Sequence, residues 1–300
     1  MLLAGNRQVK EILLKDFKEG RIASSYLFIG PEGVGKKLFA VWFAKLLICK
    51  EKGEVPCGRC SNCLKVEKGI HPDVIVIEPE IEEGKKLVVP TIKIDEIREL
   101  VVNQSNFKPW EASKRIFIID EAHMLTEEAQ NLLLKTLEEP PEGVIIILIT
   151  HLEGNLLPTV LSRLRKVEFG YIKKEEVESF LRESLFDSGK LLDYFDGTIS
   201  WLFKLNELGI DKISEIFQRI NEARMSGDWH EFFDIIERIA RGDFFERKFI
   251  TCFLKYILFE KRKLLKKGLI DEKDYKEYLN FFESLYKQHD VRFVLTRMFL

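Results

Sequence analysis

The sequence predicts an α/β domain, a parallel sheet with helices on both faces, followed by a helical C-terminal half. Three observations carry this. Short apolar strand signals alternate with helical ones from the N-terminus to about residue 170. The run Gly30-Pro31-Glu32-Gly33-Val34-Gly35-Lys36 lies between one such strand and the helix after it. Beyond Gly170 the strand signals stop. Continuous apolar strands separated by helices are what a sheet covered on both faces requires.

The elements follow in order. Residues 6–19 have helical apolar spacing, and Ser24–Gly30 reads as a short buried strand. After the glycine-rich turn, residues 37–48 form a strongly apolar helix. Residues 73–79 make a second strand, and 81–90 suggest a β-excursion turning at Gly84. Residues 94–107 are helical with Asp95 as N-cap, and Arg115–Asp120 is a third strand. Residues 126–141 hold a well-marked helix, with Thr126 as cap, acids in the first turn, and Pro140 and Pro141 as the stop. Residues 144–150 are a fourth strand, Pro158 starts a short helix, and 166–170 are a fifth strand. The expected domains are 1–170, with a cysteine-rich module at 49–63, then a small helical domain at 171–207 and a larger one at 208–300.

With 300 residues, 46% hydrophobic and 32% charged, the chain can bury a core and carries a heavily ionic surface. Its 47 basic and 49 acidic residues leave a net charge of -2, which argues against binding nucleic acid through bulk charge. No run approaches the roughly 20 apolar residues of a membrane span, and charge enters too early for a signal peptide. The expectation is a cytoplasmic protein. In that compartment its five Cys are not disulfide material.

The glycine-rich run fits G-x-x-x-x-G-K. Gly30, Gly33 and Gly35 let backbone N–H groups form an anion nest, the next helix adds its dipole, and Lys36 would reach the terminal phosphates. The motif ordinarily ends in Ser or Thr, whose hydroxyl binds Mg²⁺. Lys37 stands there instead, a cation with no acceptor, and it argues against Mg²⁺–ATP binding. The apolar strand over residues 116–119 ends in Asp120 and Glu121, placed to hold Mg²⁺ and to polarise an attacking water. Cys49, Cys57, Cys60 and Cys63 read C-x₇-C-x₂-C-x₂-C, four ligands for a closed structural Zn²⁺ site, with Gly58 suited to the turn between them. Free or redox thiols are the alternative. Cys252 fits core packing.

These pieces together resemble the bacterial DNA polymerase III clamp-loader AAA+ subunits, the gamma/tau ATPase and its relative delta prime. The resemblance rests on GPEGVGK, the four-Cys insertion, IIDEAHMLTEEAQNLLLKTLEEPP and LLPTVLSRL, across about residues 20–170. It implies an AAA+ domain, a helical lid and a helical oligomerising collar. Ser162-Arg163-Leu164 stands where the family has Ser-Arg-Cys, so Arg163 would be an arginine finger acting in trans. Without the family, Arg163 reads as pairing a carboxylate at a helix end. Thr150 takes the sensor place after the fourth strand. Gly197-Thr198-Ile199-Ser200 is the counterpart of the lid's Gly-Ser-x-Arg, with Ser200 where the arginine would be.

Two parts for using ATP in cis are thus altered and the part that serves a neighbour is kept. This pattern fits delta prime, joined with gamma/tau and delta in a heteropentamer that loads the sliding clamp on primed DNA. A gamma-type ATPase is the first alternative, supported by Lys36, Asp120 and Glu121. A stand-alone zinc protein binding nucleic acid is the second. The basic run Lys261-Arg262-Lys263 with Lys266 and Lys267 reads as a solvated helix face. The pairs Phe232-Phe233, Phe244-Phe245 and Phe281-Phe282 read as core or subunit contact.

Overall fold

A computed structural model describes residues 3–51, 53–79, 91–183, 191–241, 250–284 and 291–299. The β-excursion expected at 81–90, with Gly84, and the pair Phe244-Phe245 lie outside these residues. Contacts divide the chain into two compact units, Met1–Phe180 with Gly197–Ile199, and Leu181–Asp196 with Ser200–Leu300.

The first unit begins with helix α1 (Arg7–Lys18), β1 (Ser25–Ile29) and α2 (Lys36–Ile48). Then come α3 (Ser61–Glu67), β2 (Val74–Ile77), α4 (Ile94–Ile97) and β3 (Arg115–Ile119). The unit continues with α5 (Glu127–Glu138), β4 (Val144–Thr150), α6 (Pro158–Leu161) and β5 (Arg165–Glu168), and α7 (Lys174–Glu183) starts in it. The five strands form one parallel sheet in the order β2-β3-β4-β1-β5.

Alternate residues of each strand serve opposite faces. Tyr26, Phe28, Ile116, Ile118, Ile145 and Ile147 pack with α1 and α2 residues such as Leu13, Phe39 and Phe43. Leu27, Phe117, Ile119, Ile146 and Leu148 pack with Leu133 and Leu137 of α5 and Val160 of α6. This two-sided burial explains why β3 and β4 read as unbroken apolar runs. Thr126 caps α5 as expected, its hydroxyl accepting from Ala129 N–H at 3.3 Å. Asp95 is not the cap of α4. That helix is preceded by Lys93, so Asp95 falls in its first turn and pairs with Arg98 at 2.8 Å. The backbone then widens into a π-helical turn, Arg98–Asn103.

A buried ion pair secures the amino-terminal edge of the sheet. Asp73, just before β2, is fully buried, and Arg115, the first residue of β3, is 2% exposed. The Asp73 carboxylate accepts N–H bonds from Trp110, Glu111 and Ala112 at 2.7–3.0 Å and meets Arg115 Nη2 at 3.1 Å. Arg115 also donates to the carbonyls of Gln104 and Lys108 at 2.6 and 3.2 Å. One pair therefore folds the connection before β3 against the starts of both strands.

The second unit is helical, with α8 (Ile199–Leu208, its first residue in the first unit), α9 (Ile210–Ser226), α10 (Trp229–Arg241), α11 (Ile250–Lys266), α12 (Glu272–Ser284) and α13 (Val291–Phe299). Cys252 is buried in α11, as expected of a packing residue. Phe232 is fully buried while Phe233 is half exposed against it, ring centroids 5.1 Å apart. The basic run on α11 is not uniformly solvated. Lys261 is 5% exposed, its ammonium 4.5 Å from the Tyr278 ring centroid, and burial pulls it down to about 8. Lys263 lies 3.9 Å from the centre of the Tyr194 ring. Among the described residues, no helix is long and apolar enough to cross a membrane.

Burial pushes the Asp73 carboxyl up, but the N–H groups of Glu111, Trp110 and Ala112, with Arg115, outweigh it and hold it below its ordinary value. A folded-state value below the unfolded one means the stabilisation is present above about pH 3.9 and is lost as pH falls through the folded value. Asp73→Asn, which leaves Arg115 buried and unpaired, is expected to lower stability by about 3–5 kcal/mol at neutral pH. Urea unfolding at pH 7 and pH 3 checks this: the difference between variant and wild type should shrink at the lower pH.

Candidate functional site

The carboxyl ends of β1, β3 and β4 lie side by side, with Ile29 in register with Thr150 and Ile119 with Leu148. Gly30 leaves β1 with φ 150°, and a Cβ there would stand 2.2 Å from the carbonyl oxygen of Phe169, so the chain passes too close to β5 for any side chain. Gly33 and Gly35 adopt φ 77° and 93°, the left-handed region, and Gly35 caps α2. Lys36 opens α2, is 7% exposed, and donates to the carbonyls of Gly30 and Pro31 at 2.8 and 2.7 Å. Burial lowers its pKa, against the attraction of Glu121, Asp120 and Glu32. The loop therefore has the predicted shape, with its lysine folded back onto the loop's own carbonyls.

Lys37 turns toward the acids. Its ammonium pairs with Glu78, just past β2, and lies 3.7 Å from Asp120 Oδ2. Asp120 is raised by burial and lowered by Lys37, and burial wins. Its Oδ1 accepts from Glu121 N–H at 3.0 Å. Glu121 stands in the left-handed region at φ 49°, an unusual conformation for a residue with a side chain. Its Oε2 lies 3.4 Å from His123 Nδ1 and 3.2 Å from His151 Nδ1. Thr150 is fully buried, its hydroxyl 3.3 Å from His123 Nδ1 and accepting from Leu152 N–H at 2.9 Å.

The Gly197–Ile199 segment docks on the loop through backbone. Ile199 N–H donates to Gly33 O at 2.9 Å, and Ile172 N–H donates to Gly197 O at 2.8 Å. Gly197 has φ 93°, and a Cβ there would meet the Tyr171 ring at 2.9 Å. Arg163 follows α6, with partners other than the phosphate loop: Thr159 O at 2.6 Å, Ser162 Oγ at 3.1 Å and Glu138 Oε1 at 2.5 Å. Its side chain is one-third exposed.

The four expected cysteines converge. Each offers a sulfur within 4.8 Å of the others, and Cys57 and Cys63 sulfurs are 4.0 Å apart. Two sulfurs on a tetrahedral ion at about 2.3 Å sit roughly 3.8 Å apart, so the cluster has the size a zinc ion needs. The N–H groups of Cys57, Cys60 and Cys63 point at the sulfurs of Cys49, Cys57 and Cys60, at 3.3–3.5 Å, and would stabilise thiolates. Burial opposes this at Cys60, yet the N–H groups of Cys63 and Lys50 bring that thiol down to about 6, while burial pushes Cys63 up to about 12. Gly58 takes φ 70°, as the turn requires. Asn62 fixes the module to the end of α2, donating to Ile48 O at 2.8 Å. Lys45, 2% exposed, pairs with Glu67 at 3.0 Å.

Sequence reasoning singled out the loop, the acids, Arg163 and the cysteines. It missed Asp73, Arg115, Glu78 and His151, and the backbone role of Ile199 within the Gly197–Ser200 motif. The first two are isolated charges at strand starts, 42 positions apart, and nothing in a linear pattern pairs them. Ile199 acts through its backbone, which carries no residue signal at all.

The parallel sheet, the phosphate loop after β1 and the acidic end of β3 define a P-loop AAA+ protein with C-terminal helices. The chain belongs to the family described as DNA polymerase III, delta subunit, whose model matches residues 5–173. It is 32% identical over 176 residues to DNA polymerase III subunit delta' of Bacillus subtilis, covering 59% of this chain and 51% of that protein. It is 33% identical over 193 residues to subunit gamma of Buchnera aphidicola, covering 64% and 50%. The chain thus spans about half the length of these relatives. A gamma subunit-related protein of Thermotoga maritima shares the fold with TM-score 0.56 at 18% identity, over 97% of each chain.

If the cysteines hold zinc, the purified chain carries an ion that Cys60→Ser or a strong chelator removes, with a lower thermal midpoint. Metal analysis alongside thermal unfolding checks this. A metal-free chain with an unchanged midpoint would remove the structural role.

Proposed function

We propose that this chain is the delta-prime subunit of a DNA polymerase III clamp loader. In this reading it assembles in the cytoplasm with gamma/tau and delta subunits as a heteropentamer that loads the sliding clamp on primed DNA. Its parts would be an AAA+ domain over 1–170 with zinc held by Cys49, Cys57, Cys60 and Cys63, a lid over 171–207, and a collar over 208–300.

The observation that carries the delta-prime assignment is the placement of Lys37. Its ammonium pairs with Glu78 and lies 3.7 Å from Asp120, the acid that would help hold Mg²⁺. A fixed cation there compensates the carboxylates and repels a second cation. Lys36, folded onto Gly30 and Pro31, would have to leave two carbonyls to reach a phosphate. Ser200 offers no guanidinium in the lid. Arg163 keeps its charge at a one-third exposed position, where breaking its pair with Glu138 costs little because the pair is partly solvated. Its task would be to stabilise charge on a phosphate held by a neighbouring subunit.

A second reading, a gamma-type ATPase acting in cis, draws on the same site. Gly35 and Lys36 keep the loop, and Asp120 and Glu121 keep the acids.

Equilibrium ATP binding to the isolated chain, with and without Mg²⁺, separates the two. The delta-prime reading expects neither Mg²⁺-dependent binding nor hydrolysis. Turnover abolished by Glu121→Gln would establish the ATPase instead.

The finger has its own test. In a complex reconstituted with gamma/tau and delta, Arg163→Ala is expected to lower DNA-stimulated ATP hydrolysis at the site it completes by roughly 10³-fold or more. An unchanged rate would end the trans role.

A further inference from the structure

Besides the four cysteines, one other group of described side chains gathers ligand atoms closely enough for a metal ion. Glu121, His123 and His151 come from two strand ends, each offering one atom within 4.8 Å of the others. We propose that they form a second metal site, for a divalent transition-metal ion such as zinc, cobalt or nickel.

The ligand chemistry suits such an ion, since two imidazoles and one carboxylate favour it over Mg²⁺ or Ca²⁺. The spacing suits it too. Glu121 Oε2 is 3.4 Å from His123 Nδ1 and 3.2 Å from His151 Nδ1. Two ligands on bonds of about 2.1 Å, at 90–109° to each other, lie roughly 3.0–3.4 Å apart. His151 Nδ1 provides a second observation. It is buried and makes no hydrogen bond, although the Glu121 carboxylate is 3.2 Å away. A buried imidazole nitrogen without a bond is a cost that a metal ion would remove.

The group is built on fixed backbone. Glu121 lies two residues past β3, and its carbonyl accepts from Met124 N–H at 2.8 Å, which closes the short turn that carries His123. His151 follows β4 directly, and its ring lies edge to face with that of His123, centroids 4.3 Å apart. The His123 side chain is 2% exposed, while His151 and Glu121 are 26% and 39% exposed. The ion would thus be anchored from inside and keep open positions toward solvent, unlike the closed cysteine site. Two other charged groups bear on it. Lys36 attracts Glu121 from the loop but is tied to the carbonyls of Gly30 and Pro31, and Asp120 adds negative charge next to it. An ion bound there would hold the Glu121 carboxylate between two imidazoles and withdraw it from any water.

Cobalt titration of the full chain tests it by visible and near-ultraviolet absorption. Cobalt on imidazole and carboxylate gives weak visible bands. Cobalt on thiolates adds intense near-ultraviolet charge-transfer bands, so filling of the cysteine cluster is read separately. We expect one equivalent that gives visible bands without the charge-transfer bands. Its affinity should fall roughly tenfold or more in both His151→Ala and Glu121→Gln. Glu121→Gln keeps the shape of the side chain and decides the matter if His151→Ala fails to fold. Cobalt appearing only with charge-transfer bands, or an unchanged affinity in Glu121→Gln, would overturn the site.

Discussion

The rest of the structure depends on one constraint: the central strands of the sheet are buried on both faces. Between Ile116 and Ile119, and between Val144 and Ile149, every position is apolar and at most 4% exposed. An unpaired polar group there would lose its water without compensation. Polar chemistry is therefore displaced to the two edges, and the edges differ. The amino-terminal edge holds Asp73 and Arg115, both buried and tied by several hydrogen bonds. The carboxyl-terminal edge holds Lys36, Lys37, Asp120 and Glu121 on the loops that leave β1 and β3. In parallel sheets of this kind, ligands bind at that edge.

Charge at the carboxyl edge is balanced internally. Lys37 faces Glu78 and Asp120, Lys36 is drawn to Glu121 and Asp120, and Glu121 is flanked by two imidazoles. A hydroxyl at residue 37 would leave Asp120 and Glu78 to a diffusible cation. A lysine makes the compensation covalent to the chain. In the proposed delta-prime reading, that single exchange turns a site that would recruit Mg²⁺ into one already compensated by a lysine. The cysteine module, joined to the end of α2 by Asn62 and Lys45, stands apart from this balance.

Much of the fold was legible because it rests on period and punctuation. The strands announced themselves as short apolar runs, Thr126 and Pro140 bounded α5, and the C-x₂-C spacing brought sulfurs together over a short loop. Asp95 was misplaced by two positions because a cap depends on where the helix starts, which apolar spacing sets only loosely. Lys261 was misread as solvated because a basic run says nothing of which residue the aromatic neighbours cover. Tyr278, seventeen positions on, does that.

The sequence by itself determined the class of fold, the phosphate loop, the acidic strand end, the four-cysteine cluster and the family, because these lie in short segments whose chemistry is local. Tertiary structure alone decided that Lys37 meets Glu78 and Asp120, that Lys36 turns back onto Gly30 and Pro31, that Asp73 finds Arg115, and that Glu121, His123 and His151 converge. Each of these joins residues whose nearness is set by strand order and by the loop between β1 and α2. The physical reason is that a parallel sheet aligns strand ends that the chain visits far apart, and linear spacing does not encode which ends become neighbours.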